Sequence, residues 1–383
     1  MYSIIVFLII ISCSLMIFSR LNFFSCLDEG ANDRMHNLDG LRAMLAMFVV
    51  YHHTILRYNE IRTGKWSYTE SLIFNNIGSI GVSLFFMITG FLFWGRVSGK
   101  KNVEWVKLFN GRLFRIGPLY LFVTLISAFI ILAKSDFIVS QNNLINFRGQ
   151  LSTILFMGMD YKPHAFMNNR TFIDLIGPTW TLYYEWLFYL SLPALSLLKT
   201  SSNKLIIIAS SFFFFVLINN ETGGVFFIKL FLLGMIAYEL RNVTIKGVTD
   251  SDIKLSIIFV VSLILSTQFS DGHHVYNNSS AVCLGVAFFT IVKGCSMFGV
   301  LTSKGATRIG NMSYSVYLTH SIVIILFLQT PSVMSLVKRY DAFTWFCTAL
   351  AFTFCFFMSM LTFLFIEKRG IEMGKKAYSR LIK

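Results

Sequence analysis

Arg42 and His53 lie eleven residues apart in the run Asn37-Leu-Asp-Gly-Leu-Arg-Ala-Met-Leu-Ala-Met-Phe-Val-Val-Tyr-His-His53. At about 100° per residue, that spacing is three helical turns plus about 20°, so both side chains share one face about 16 Å apart along the axis. Histidine is the ordinary proton acceptor near neutral pH, and arginine is a permanent cation suited to phosphates. Ionisable groups in a hydrocarbon-length apolar segment are costly and usually face a polar cavity. The pair therefore suggests a site that reaches across part of a membrane. A lone histidine would more simply be satisfied by a neighbouring helix; the company of Arg42 tips the balance toward function. His52, rotated by about 100°, is the weaker candidate.

A second constellation is Pro178-Thr-Trp-Thr-Leu-Tyr-Tyr-Glu-Trp-Leu-Phe-Tyr189. Glu185 falls about two turns into a helix, at a depth like that of His53. A carboxylate there could orient and polarise a histidine, or it could pair with Lys229 for assembly alone. Trp180, Tyr183, Tyr184 and Tyr189 suit an interfacial aromatic belt or a stacking surface for a sugar ring, and both readings stay open. Arg112 and Arg115, at i and i+3, project together and could clamp a phosphate or pyrophosphate. Taken alone, that pair reads more simply as a basic anchor for lipid phosphates. Gly81, Ser83 and Gly90 among bulky neighbours read as a helix-packing face.

The elements that must hold these residues are helices in a membrane. The chain of 383 residues is 55% hydrophobic, only 14% charged, and contains 41 phenylalanines, well outside soluble composition. Its apolar stretches run roughly over 3–19, 40–57, 77–95, 116–134, 178–198, 204–219, 223–240, 254–269, 280–299, 312–330 and 343–366. The expected fold is all-α: a polytopic membrane helix bundle of about 11 transmembrane helices. The first stretch lacks a basic n-region and a small-residue cleavage site, so it reads as an uncleaved helix.

Charge sets the expected orientation. The segments 20–39, 96–115, 199–204, 241–254, 300–311 and 367–383 carry twenty-one Lys and Arg, against about nine on the other side. This places the N-terminus outside and the C-terminus in the cytoplasm. The stretch 144–160 is interrupted and contains Arg148, so 135–177 reads as a long outer loop. The net charge of +14 is then a topology signal rather than a nucleic-acid footprint. Six scattered cysteines form no CxxC pair and imply neither disulfides nor a metal site. No G-x-S-x-G elbow, His-x4-Asp pair, Walker A or G-x-G-x-x-G loop is present.

Together these segments resemble the membrane acyltransferase-3 family, whose members O-acylate extracytoplasmic glycans. The likeness rests on Asp39-Gly-Leu-Arg-Ala with its histidine eleven residues after the arginine, and on Phe85-Phe-Met-Ile-Thr-Gly-Phe-Leu92. It extends to Arg112-x-x-Arg115, Trp180-Thr-Leu-Tyr-Tyr-Glu185 and Met312-Ser-Tyr-Ser-Val-Tyr-Leu-Thr-His320. The resemblance implies acetyl-CoA as a cytoplasmic donor, a carbohydrate or polysaccharide hydroxyl as acceptor, and the inner membrane of a bacterium as location. It implies His53 as the catalytic histidine, Glu185 as its acidic partner, and Arg42, Arg112 and Arg115 facing the CoA phosphates. Trp180 and Tyr184 would face the acceptor, and no metal is expected. The organisation implied is an extra helix and linker over 1–36, the family domain over 37–370 and a basic tail over 371–383.

Departures accompany the likeness. Thr89 stands where serine is frequent, Trp186 where a second acid is frequent, and Gly370 where proline is usual. His53 would act as general base on the acceptor hydroxyl or carry the acetyl group briefly, and sequence leaves both routes open. A rival reading is a proton-coupled transporter or flippase for a glycan or lipid-linked sugar, with Arg42, His53 and Glu185 as a relay. A third is a structural partner in a polysaccharide export or synthesis complex.

Overall fold

The computed structural model describes residues 4–28, 35–99, 102–134, 177–217 and 224–381. Among these the chain is helical throughout and contains no strand. The expected outer loop over 135–177 lies outside the described residues except for Gly177. Every apolar stretch named above contains a helix. Among the described residues, three helices are long and apolar enough to cross a membrane by length and composition, namely Leu72–Ser98, Trp105–Ile130 and Phe343–Leu381. The broken pair Lys304–Asn311 and Ser313–Leu328 makes a fourth if it forms one span.

The chain divides into two compact units. The first comprises Met1–Val103, Ser191–Ser313 and Ser335–Leu350. It holds α1 (Ile4–Arg20), α2 (His36–Thr63) and α3 (Leu72–Ser98). α2 is too polar for an ordinary lipid-facing span, yet most of its length is buried in protein, including Asn37, Asp39, Thr54 and Arg57. A polar helix survives in an apolar chain by such enclosure. It ends on Gly64, whose φ of 73° is left-handed and whose N–H returns to the Glu60 carbonyl at 2.8 Å.

Gly90 on α3 and Gly234 on a later helix of this unit, Gly224–Glu239, meet reciprocally. A β-carbon on Gly90 would strike the Phe231 carbonyl, and one on Gly234 would strike the Met87 carbonyl. Small residues here permit backbone-to-backbone approach, as the sequence pattern predicted.

The stretch expected over 280–299 departs from that expectation. Its helix, Asn278–Val292, stops because the chain turns left-handed at Gly294, Met297, Phe298 and Gly299. Positive φ is costly at Met297 and Phe298. The turn is held by Asp252, which accepts from the Ser296 N–H and hydroxyl at 2.6 Å each, and by Ser256, which accepts from the Phe298 N–H.

The second unit comprises Glu104–Leu190, Tyr314–Met334 and Ala351–Lys383. It contains α4 (Trp105–Lys134), which carries Pro118 inside the helix. Proline donates no N–H, so the Phe114 carbonyl four residues earlier loses its intrahelical partner. Gly370, on the C-terminal helix Lys368–Leu381, approaches that carbonyl; a β-carbon there would lie 2.5 Å from it and 2.9 Å from Pro118 Cγ. Asn110 adds a hydrogen bond to the Gly374 carbonyl at 2.6 Å. Lys368–Leu381 continues from a π-helical turn at Phe363–Glu367.

Candidate active site

In the first unit α2 carries both Arg42 and His53. Arg42 is partly buried and pairs through Nη1 with Asp39 Oδ1 at 3.5 Å, one turn earlier. The His53 Nδ1 lies 3.0 Å from the Val49 carbonyl. A carbonyl can only accept, so Nδ1 carries the hydrogen, and in the neutral ring Nε2 is the basic nitrogen. This is the tautomer that a general base needs. His52 is turned the other way: its Nδ1 donates to the Phe74 carbonyl at 2.9 Å, and its ring lies where a β-carbon on Gly78 would sit. The two rings meet edge to face with centroids 5.3 Å apart.

Outside the helices of this unit, the loop at 270–276 closes against Tyr68. The Tyr68 hydroxyl lies 3.2 Å from His274 Nε2, and its ring stacks on His273 at 4.2 Å. Asp271 accepts from the His273 and His274 N–H groups at 2.8 and 2.6 Å. Burial lowers the His274 pKa from its usual 6.5; Asp271 opposes the shift and His273 adds to it. None of this loop cluster stood out in the sequence, because its members are ordinary loop residues whose proximity depends on folding.

In the second unit Glu185, Arg112 and Arg115 belong to one polar network. Glu185 Oε2 accepts from the Tyr189 hydroxyl at 2.8 Å, one turn later on the same helix. Arg112 also acts on the Tyr189 hydroxyl. Arg115 Nε sits 3.4 Å from Oε1 of Glu367, a carboxylate with no exposed surface, whose Oε2 accepts from Ser315 at 2.7 Å. Tyr314, donating to the Ile116 carbonyl at 3.0 Å, feels Glu367, Glu185, Arg115 and Tyr189 together. Among the described residues, two arginines thus stand with two carboxylates.

Sequence reading named the arginines and Glu185, and Tyr189 as a belt or stacking residue, but gave no role to Glu367 or Tyr314. The available signal was a carboxylate closing the apolar run 343–366. Trp180 and Tyr184 pack ring against ring at 5.9 Å, edge to face. Lys229, considered as a partner for Glu185, is fully buried and donates to Asn278 Oδ1 at 2.7 Å. Among the described residues, no group of three or more His, Cys, Asp or Glu is arranged to hold a metal ion.

Comparison with known families bears on what this apparatus does. A family model described as an acyltransferase domain matches residues 35–367. Comparison with curated proteins and with solved structures produced no match. The apolar helices fit a protein of the membrane. The match spans most of the chain, from just before α2 to Glu367 at the end of the π turn, and so the chain belongs to the acyltransferase-3 family and is an acyl-transferring enzyme.

Proposed function

We propose that the enzyme transfers an acetyl group from cytoplasmic acetyl-CoA to a hydroxyl of an extracytoplasmic carbohydrate at a bacterial inner membrane. The observation that carries this reading is His53, presented on a buried polar helix with Nδ1 anchored on Val49 and Nε2 left as the basic nitrogen. Nε2 takes the proton of the acceptor hydroxyl as that oxygen attacks the thioester carbonyl. The tetrahedral intermediate then collapses with departure of the CoA sulfur, which receives the proton from the imidazolium. The products are an O-acetyl ester and free CoA.

Arg42 supplies a cation for the donor phosphates, three turns along α2 from His53. Arg112, Arg115 and Glu185 serve the same reaction. Arg112 and Arg115 meet donor phosphate charge, while Glu185 supplies the acidic group of the reaction. Trp180 and Tyr184 contribute aromatic surface for the acceptor sugar. The orientation, with about eleven spans, N-terminus outside and C-terminus cytoplasmic, is supported by the twenty-one basic residues gathered on one set of segments.

The test is an acetyl-CoA assay in inverted membrane vesicles containing the native glycan, comparing wild type with His53→Ala at matched protein level. Release of CoA and labelling of glycan in the wild type, both absent from the variant, are expected. Wild-type vesicles that neither consume acetyl-CoA nor label glycan would overturn the donor and acceptor assignments.

A further inference from the structure

The segment before the acyltransferase domain is built into the donor end of α2. The family match begins at residue 35, so α1 and the turn that follows it, Asn22–Leu27, lie outside it. Both nevertheless pack on the eight-residue helix Lys304–Asn311 through three polar anchors spaced three residues apart. Spacing of this kind puts Gly305, Arg308 and Asn311 on neighbouring parts of one face.

Arg308 is 1% exposed. Its Nε and Nη2 meet the two Asp28 oxygens at 2.7 and 2.8 Å, and its Nη1 donates to the Phe18 and Leu21 carbonyls at 2.6 and 3.2 Å. A planar guanidinium fits this fork-and-carbonyl arrangement, whereas an ammonium does not. The Gly305 N–H donates to Ser19 Oγ at 2.8 Å, and a β-carbon at 305 would strike the Leu15 carbonyl. Asn311 donates to the Leu27 carbonyl at 3.0 Å.

The same short helix and the turn before it grip the start of α2. A β-carbon on Gly310 would strike the Asp39 carbonyl, and one on Gly40 would strike the Leu301 carbonyl. Asp39 is the residue that pairs with Arg42. Farther along, Phe7 of α1 packs on Phe48 and Tyr51 of α2, with ring centroids at 5.8 and 4.4 Å.

We infer that residues 4–28 form a clamp, locked by the Asp28–Arg308 fork, that positions Arg42 for the donor's phosphates. Asp28 and Arg308 are positioning residues; neither touches donor or acceptor. The inference rests on the donor reading above. It accounts for a charged residue buried in Lys304–Asn311 and for an N-terminal helix that the acyltransferase domain does not include.

The experiment uses the full chain in native membranes. Donor KM and kcat are measured with acetyl-CoA for wild type, Asp28→Asn, Asp28→Glu, Arg308→Lys and Gly90→Ala, and thermal stability is followed with and without CoA. Asp28→Asn and Arg308→Lys are expected to raise donor KM about five- to tenfold with kcat within about twofold. Asp28→Glu should restore most of the loss. Gly90→Ala, which disturbs the α3 contact with Gly224–Glu239, should lower stability without moving donor KM. If Asp28→Asn and Arg308→Lys fold and keep wild-type donor KM, the clamp has no positioning role and the inference fails while the donor reading stands. If Gly90→Ala raises donor KM as much as they do, the effect is general loosening and the inference also fails. If wild type shows neither CoA-dependent stabilisation nor turnover, the donor reading fails and takes the inference with it.

Discussion

His53 Nδ1 lies 3.0 Å from the carbonyl oxygen of Val49, the residue one turn before it on the same helix. The carbonyl fixes the ring orientation and assigns the proton to Nδ1, which makes Nε2 the nitrogen that would act in the proposed reaction. His53→Gln preserves polarity and size but cannot accept a proton. Its kcat should fall about 10²- to 10⁴-fold with donor KM little changed, and the acidic limb of the pH–rate profile should vanish with it. A variant that keeps wild-type kcat would remove His53 from the chemistry.

Arg115 and Glu367 separate assembly from donor binding. Arg115→Gln removes a cation from beside a fully buried carboxylate, which should destabilise the protein by up to about 3 kcal/mol. Adding Glu367→Gln removes the buried charge and should recover most of that stability. Activity that stays low in the double variant, at restored stability, assigns Arg115 to the donor. Activity that returns with stability assigns it to assembly.

Gly370 meets the carbonyl that Pro118 leaves without its helical partner. Gly370→Ala would put a β-carbon 2.5 Å from the Phe114 oxygen, against backbone that cannot easily yield. A loss of about 1 to 3 kcal/mol in thermal or denaturant unfolding is expected. Unchanged stability would mean that Lys368–Leu381 shifts freely along α4.

His274 gives stability a pH dependence with a definite sign. Burial holds its pKa below 6.5 in the folded protein, so the folded state binds its proton less readily than the unfolded chain does. Its contribution is complete above about pH 6.5 and declines as pH falls from there toward the folded pKa. Melting temperature measured from pH 8 to pH 5 should therefore fall in that window, and less so in His274→Gln. The groups around it, Tyr68, His273 and Asp271, are unchanged in that variant. Identical slopes for both proteins would show that His274 is not the titrating group.

Much of this was legible in residue order. The polar face shared by Arg42 and His53 follows from helical period alone, because both lie on one uninterrupted helix, His36–Thr63. The apolar stretches located the helices for the same reason: hydrophobic runs and periodicity are properties of neighbours along the chain. The end of the helix at Val292 was not legible. Met297 and Phe298 adopt left-handed φ only because Asp252 and Ser256, about forty residues earlier, supply the hydrogen bonds that hold the turn.

By itself the sequence determined that this is a helical, membrane-type chain whose ionisable residues lie at set places on helix faces. Tertiary structure alone decided their partners: Glu367 for Arg115, Tyr189 as the bridge between Glu185 and Arg112, and Asp28 for Arg308 across 280 positions. The division has a physical cause. Helical period and hydropathy act over a few residues, whereas pairing a buried charge depends on which backbones pack closely enough to bring its partner within reach.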